Sequence, residues 1–235
     1  MIAPSDPEYK LTKLIRQGKA TMDKEFESLA KWIDKTYDVE TINIVYDTID
    51  NGARPRIQII FETSQEADKF RTKYGYDNVR QQEIAVEFQN SFASQGLIPK
   101  KGFAKYFTWN NHKKYKADNI LVIFGAFKPI AKLEASWNIS EAEIQTLQTE
   151  LNIIDLWKIH KEIFNSPTFF FYTNKQVDEY SGNGMIALLT EKYFNLIKSF
   201  DEFDYIKKDQ FEIKLDSKEN FESIYQGSWF NYDRR

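Results

Sequence analysis

The stretch VETINIVYDTIDNGARPRIQIIFE, residues 39–62, decides the reading of the fold. Ile42, Ile44 and Tyr46 alternate with Asn43, Val45 and Asp47, which predicts a strand over about 39–49. Ile57, Ile59 and Phe61 alternate in the same way and predict a return strand over about 54–62. Between them, Asn51-Gly52 supplies the positive φ angles of a two-residue hairpin turn. Pro55 has no amide hydrogen to donate, so part of the second strand should lack a partner on one side.

Helices flank this hairpin. Before it, Phe26, Leu29, Ala30 and Ile33 recur at three- and four-residue spacing. An earlier helix carries Leu11, Leu14 and Ile15 on one face, with Gly18 as its breaker. After it, Thr63-Ser64-Gln65-Glu66 is a capping box, predicting a helix to about Tyr74 that Gly75 ends. Ile84, Phe88 and Phe92 predict another over 79–94.

The remainder is less regular. Residues 103–109 read as a short strand, and 119–127 as a strand covered on both faces. Ser140-Glu141-Ala142-Glu143 opens a helix to Leu151. Residues 154–164 read as helix, 168–173 as a buried strand and 185–200 as helix. Phe211, Ile213 and Leu215 mark a strand, and Asp216-Ser217 begins a last helix. The expectation is an α+β fold: a mixed or antiparallel sheet with amphipathic helices packed on it, with two similar halves. Its regions are 1–98 (helix, hairpin, helix) and 99–235, or one continuous domain. Arg56–Gly75 and Phe211–Gly227 echo each other, each a strand, a capped helix and a Tyr near a Gly, but they do not align in one register without a gap.

Composition narrows the function classes. Among 235 residues, 19 Phe, 13 Tyr and 5 Trp supply a large core and argue against disorder. The chain has no cysteine, which excludes disulfides, thiolate metal sites and cysteine nucleophiles; it suits a reducing, cytoplasmic setting, as it also would a cysteine-free secreted protein. The longest apolar run, Ile120 to Phe127, is too short to span a bilayer, and no basic-then-apolar leader opens the chain.

Catalytic patterns are sparse. The two histidines, His112 and His160, have no metal-ligand spacing, and there is no Asp-x-Asp-x-Asp-Gly loop. No Gly-x-Ser-x-Gly occurs, and Ser181-Gly182-Asn183-Gly184 lacks the ending of a phosphate-binding loop and reads as a flexible chain break. Neighbouring acids such as Asp178 and Glu179, Asp201 and Glu202, or Asp216 and Glu219 are expected in a chain with 35 acids, and read as solvated helix faces. No catalytic, cofactor or metal residue is assigned.

The most distinctive segment is 99–117, with six lysines and no acid in a chain of net charge −3. Lys100, Lys101, Lys105, Lys113, Lys114 and Lys116 interleave with aromatics including Trp109. That pattern suits single-stranded nucleic acid, lysines meeting phosphates and aromatic faces meeting bases. The alternation of Phe103, Lys105 and Phe107 favours instead an exposed hairpin with aromatics inward and lysines in water. The final Gly227-Ser228-Trp229-Phe230-Asn231-Tyr232 is an aromatic tail that docks on the body or on a partner.

The ending Phe211 to Tyr232, with its Asp-Ser-Lys-Glu-Asn-Phe helix and Gly-Ser-Trp-Phe-Asn-Tyr tail, resembles small bacterial immunity proteins encoded beside polymorphic toxins. The helix and Asn-Gly hairpin of Phe26 to Glu62 are similar to α+β scaffolds common among them. The resemblance covers about a quarter of the chain and carries over no binding residue. It implies a cytoplasmic, non-enzymatic inhibitor whose partner is a toxin domain, and a mostly acidic body would complement a basic one. The alternatives are a nucleic-acid-associated protein using segment 99–117 and an enzyme with a carboxylate site.

Overall fold

A computed structural model describes residues 3–98, 115–161 and 166–234. The chain divides into two compact units, residues 1–130 and 131–235.

The first unit begins with α1, Pro7–Arg16, whose proline sits where a helix start needs no amide donor. Gly18, at φ +70°, turns the chain out of it. A single 3-10 turn leads into α2, Glu27–Tyr37, closed by Asp38 in the left-handed region. The hairpin follows as β1, Thr41–Ile49, and β2, Arg54–Phe61, antiparallel. Its connection is four residues, not the two expected. Asp50 and Asn51 both adopt positive φ before Gly52, and the Gly52 amide donates to the Ile49 carbonyl at 3.1 Å. Asp tolerates the left-handed region, so the turn starts one residue early. Pro55 pairs with Thr48 on one side, and the ladder on the other side starts only at Arg56, as its missing amide requires.

Thr63 caps α3, Ser64–Asp68, with the full capping box. The helix does not continue to Tyr74. Phe70 is fully buried, stacked on Phe61 at 5.0 Å and on Phe124 at 4.4 Å. Seating that ring draws the chain inward, and the continuation is a small hairpin of β3, Arg71–Thr72, and β4, Gly75–Tyr76. Asp77 then caps α4, Asn78–Ser94, which buries Ile84, Phe88 and Phe92 as its four-residue spacing predicts. β5, Leu121–Ala126, lies parallel to β2, giving the sheet order β1-β2-β5. As an edge strand it buries Val122 and Phe124 and leaves Leu121 and Ile123 half-buried, so it is not covered equally on both faces. The pairing of β5 with β2 keeps residues 121–126 in the first unit, so the boundary lies at 130/131 and not at 98/99. It falls within α5, Phe127–Asn138.

The second unit continues with α6, Glu141–Leu151, opened by the Ser140 capping box and closed by left-handed Asn152. Residues 156–160, expected as helix, are a strand, β6, Leu156–His160. It pairs antiparallel with β7, Thr168–Phe171. A β-bulge between Leu156 and Lys158 explains the misreading. The extra residue puts Leu156 and Ile159, three apart, on the same buried face, which imitates a helical period. α7, Asn174–Gly182, and α8, Met185–Lys198, follow. β8, Lys214–Ser217, is shorter than the strand expected from Phe211 and lies parallel to β7, giving the order β6-β7-β8. Ser217 caps α9, Lys218–Tyr225, and α10, Trp229–Tyr232, ends the chain.

The two units repeat one design. Each has a helix, an antiparallel strand pair, helices, and a third strand parallel to the middle one. The bulge falls at the same register: Thr41 and Asn43 face Phe61 and Ile60, while Leu156 and Lys158 face Phe171 and Phe170. Behind each middle strand comes a threonine capping box, at Thr63 and at Thr173. Seven residues beyond each cap an aromatic ring folds back on the strand's last phenylalanine, Phe70 on Phe61 and Tyr180 on Phe171. Segment 59–70 thus corresponds to 169–180. The echo read from sequence paired 56–75 with 211–227. The structure overturns it, because β8 and α9 correspond in order to β5 and α5.

Candidate functional site

Of the residues assigned to a nucleic-acid surface, Lys100, Lys101, Lys105, Trp109, Lys113 and Lys114 lie outside the described residues, as do His112 and the strand expected at 103–109. Lys116 is described and exposed, and its ammonium lies 3.3 Å from the Gly52 carbonyl. Its amide donates to the Tyr46 hydroxyl at 2.8 Å. Beside it, Tyr115 is buried edge-on against Phe26, Tyr46 and Phe92. At this end of the segment the aromatic ring faces the core and the lysine faces water.

His160 lies on β6, not in a helix. Its ring stacks on Trp229 with centroids 4.1 Å apart, and Nε2 lies 2.8 Å from Asp233 Oδ1. Several of the neighbouring acids are tied into the fold rather than gathered in a cleft. Asp201, with its side chain 3% exposed, accepts hydrogen bonds from the Tyr205 and Ile206 amides and pairs with Lys198. Asp216 accepts from the Tyr232 hydroxyl at 2.7 Å, from the Ser217 amide and from Asn220. Glu219 accepts from the Asn174 amide at the start of α7. Ser181 and Gly182 close α7 rather than forming a loop. Among the described residues no three His, Asp or Glu side chains gather as a metal site, and no helix is long and apolar enough to cross a membrane.

The clearest contrast between the units is on the sheet face opposite each main core. In the first unit α1 covers this face. Thr12 and Asn43, both buried, join through Thr12 Oγ1 and Asn43 Nδ2 at 3.1 Å. Tyr9 stacks on Phe127 at 5.3 Å, and Arg16 reaches Glu62 at 3.2 Å. In the second unit the aromatic tail takes part of this role, confirming that it docks on the body. Trp229 and Tyr232 pack with Trp157, Phe170 and Phe221, and the Lys158 ammonium lies 5.4 Å from the Trp229 ring centre.

The tail is only one turn of helix, and it leaves apolar side chains in water. Ile154 is 91% exposed and Tyr172 46%. Their backbones are neighbours, since the Tyr172 amide donates to the carbonyl of Asp155, the residue after Ile154, at 3.2 Å. Half-buried Trp157 lies two residues further along, under the Lys218 ammonium at 5.4 Å. Of the nearby acids, Asp155 accepts from Gln176 and from the Tyr180 hydroxyl, Glu219 accepts from the Asn174 amide, and Glu222 pairs with Lys218. The helical reading of residues 154–164 hides these side chains in the sequence. The capping spacing of Thr173 and Gln176 could have located the end of β7, and with it Tyr172.

Charge is divided between the units. Residues 1–130 hold 20 Lys and Arg against 17 Asp and Glu, a net +3. Residues 131–235 hold 12 against 18, a net −6. No protein-family model, curated protein or solved structure matches this chain.

Proposed function

We propose that this chain is a non-enzymatic binding protein of the immunity type, which captures and neutralises a toxin domain in the cytoplasm. The observation that carries this reading is the second unit, which has a net charge of −6 and leaves large apolar side chains in water. Large exposed apolar groups on a unit of net negative charge suit a protein partner of opposite sign. The partner is then a basic protein surface, such as that of a nuclease toxin.

The test is co-expression with the toxin domain encoded by a neighbouring gene. Growth should be rescued, and the purified pair should associate more slowly as salt rises. Toxicity unchanged by co-expression sinks the reading. A second reading, nucleic-acid association, is favoured by the six lysines of segment 99–117, without which the first unit would be net negative. The same purified protein separates the two. Binding to random single strands that weakens steeply with salt supports the second; negligible binding near physiological salt supports the first.

A further inference from the structure

The two units, being copies of one design, show on one what the other lacks. Glu62 and Tyr172 are equivalent. Each directly follows the middle strand, and each carbonyl accepts from the second residue of the helix after the third strand, Lys128 at 3.0 Å and Glu219 at 3.2 Å. By register Asn43 is equivalent to Lys158, and the bulge residue Ile42 to Trp157. Phe127 and Lys218 are each the first residue of the helix that follows the third strand. In the first unit α1 runs over these positions, touching Phe127, Asn43 and Glu62, and Ile42 is buried. In the second unit α10 covers Lys158 and, through Trp229, one side of Trp157. Trp157 is half-buried and Tyr172 is exposed, with Ile154 beside it.

We infer that the strip Ile154–Trp157–Tyr172 receives an amphipathic helix of the protein partner, seated as α1 is seated on the first unit. This rests on the immunity reading and specifies the surface and the shape of its occupant. An apolar stripe of that helix lies on Ile154 and Tyr172 and displaces Lys218 from the face of Trp157. Its charge is positive. On the first unit α1 meets Glu62 and Glu40 through Arg16, and on the second Tyr172 bonds through its backbone to Asp155 and Glu219 in a unit of net charge −6. Helix-in-groove recognition of this kind depends on a few apolar anchors with complementary charges at the rim.

The experiment uses the full chain and the neighbouring gene's toxin domain. The double variant Ile154→Lys, Tyr172→Lys places two cations where the partner is basic, at positions too exposed to disturb the core. Affinity should fall about a hundredfold or more, with an unchanged thermal melt, while Val79→Lys, at an exposed site of the first unit, should leave it unaltered. Parent-like affinity for the double variant overturns the assignment of the surface. A photo-crosslinking residue at 172 should label the apolar face of a helix in the toxin, and labelling of a strand or loop overturns the helical occupant. A parent chain that neither binds nor neutralises the toxin removes the immunity reading, and this inference with it.

Discussion

Thr63 and Thr173 do the same work a hundred and ten residues apart. Each hydroxyl accepts from the amide three residues on, while Glu66 or Gln176 returns to the cap's own amide, so two donors that a helix start leaves unpaired are satisfied. Asp204 shows how charge can hold a single residue. It sits in the left-handed region with Lys198 and Lys207 bonded to its carboxylate. Those bonds, Lys198 first, lower its carboxyl to about 2. A carboxyl lowered on folding favours the folded state wherever it is ionised. That contribution is present above the unfolded value of roughly 3.9 and is lost as pH falls towards 2. A carboxyl-carbon NMR titration should place the Asp204 midpoint near 2, and Lys198→Met should move it upward. An unmoved midpoint in that variant would remove Lys198 as the cause.

At the scale of elements, competition between local signal and core burial decides the outcome. The capping box starts α3, but burial of Phe70 ends it after five residues. A bulge in β6 gives a strand the spacing of a helix. The tail is held by rings and one hydroxyl rather than by length, since α10 has four residues. Tyr232 is fully buried, so Tyr232→Ala should cost about 3–5 kcal/mol in urea unfolding, in the range of large aromatic truncations. Tyr232→Phe removes the hydroxyl that donates to Asp216 and should cost about 1–3 kcal/mol. A Tyr232→Ala variant as stable as the parent would show that the tail lies outside the core.

For the whole molecule, the division into two units has an energetic meaning. Ile159, Phe169, Phe171, Leu189 and Tyr193 form a core inside the second unit, and Phe61, Phe70, Phe88 and Phe124 another inside the first. A core closed within its own segment supports folding of that segment alone. The fragment 131–235 should therefore give a dispersed amide spectrum and a single cooperative urea transition. A collapsed spectrum from that fragment would show that the second unit depends on the first.

Read alone, the chain specified the α+β class, the β1–β2 hairpin, the capped starts of α3, α6 and α9, and the apolar face of α4. These signals are local: alternation, cap spacing and four-residue recurrence act within one element. Where the third strands pair, which segments repeat and what Tyr172 faces are set by contacts far apart in sequence. β5 joins the first unit only through its ladder with β2. The repeat is one of register and bulge position more than of residue identity, so it emerges only when strands are aligned through their partners. Asp155 and Tyr172 come together because the Tyr172 amide bonds to the Asp155 carbonyl just beyond the paired ends of β6 and β7, a contact that the period of neither strand encodes.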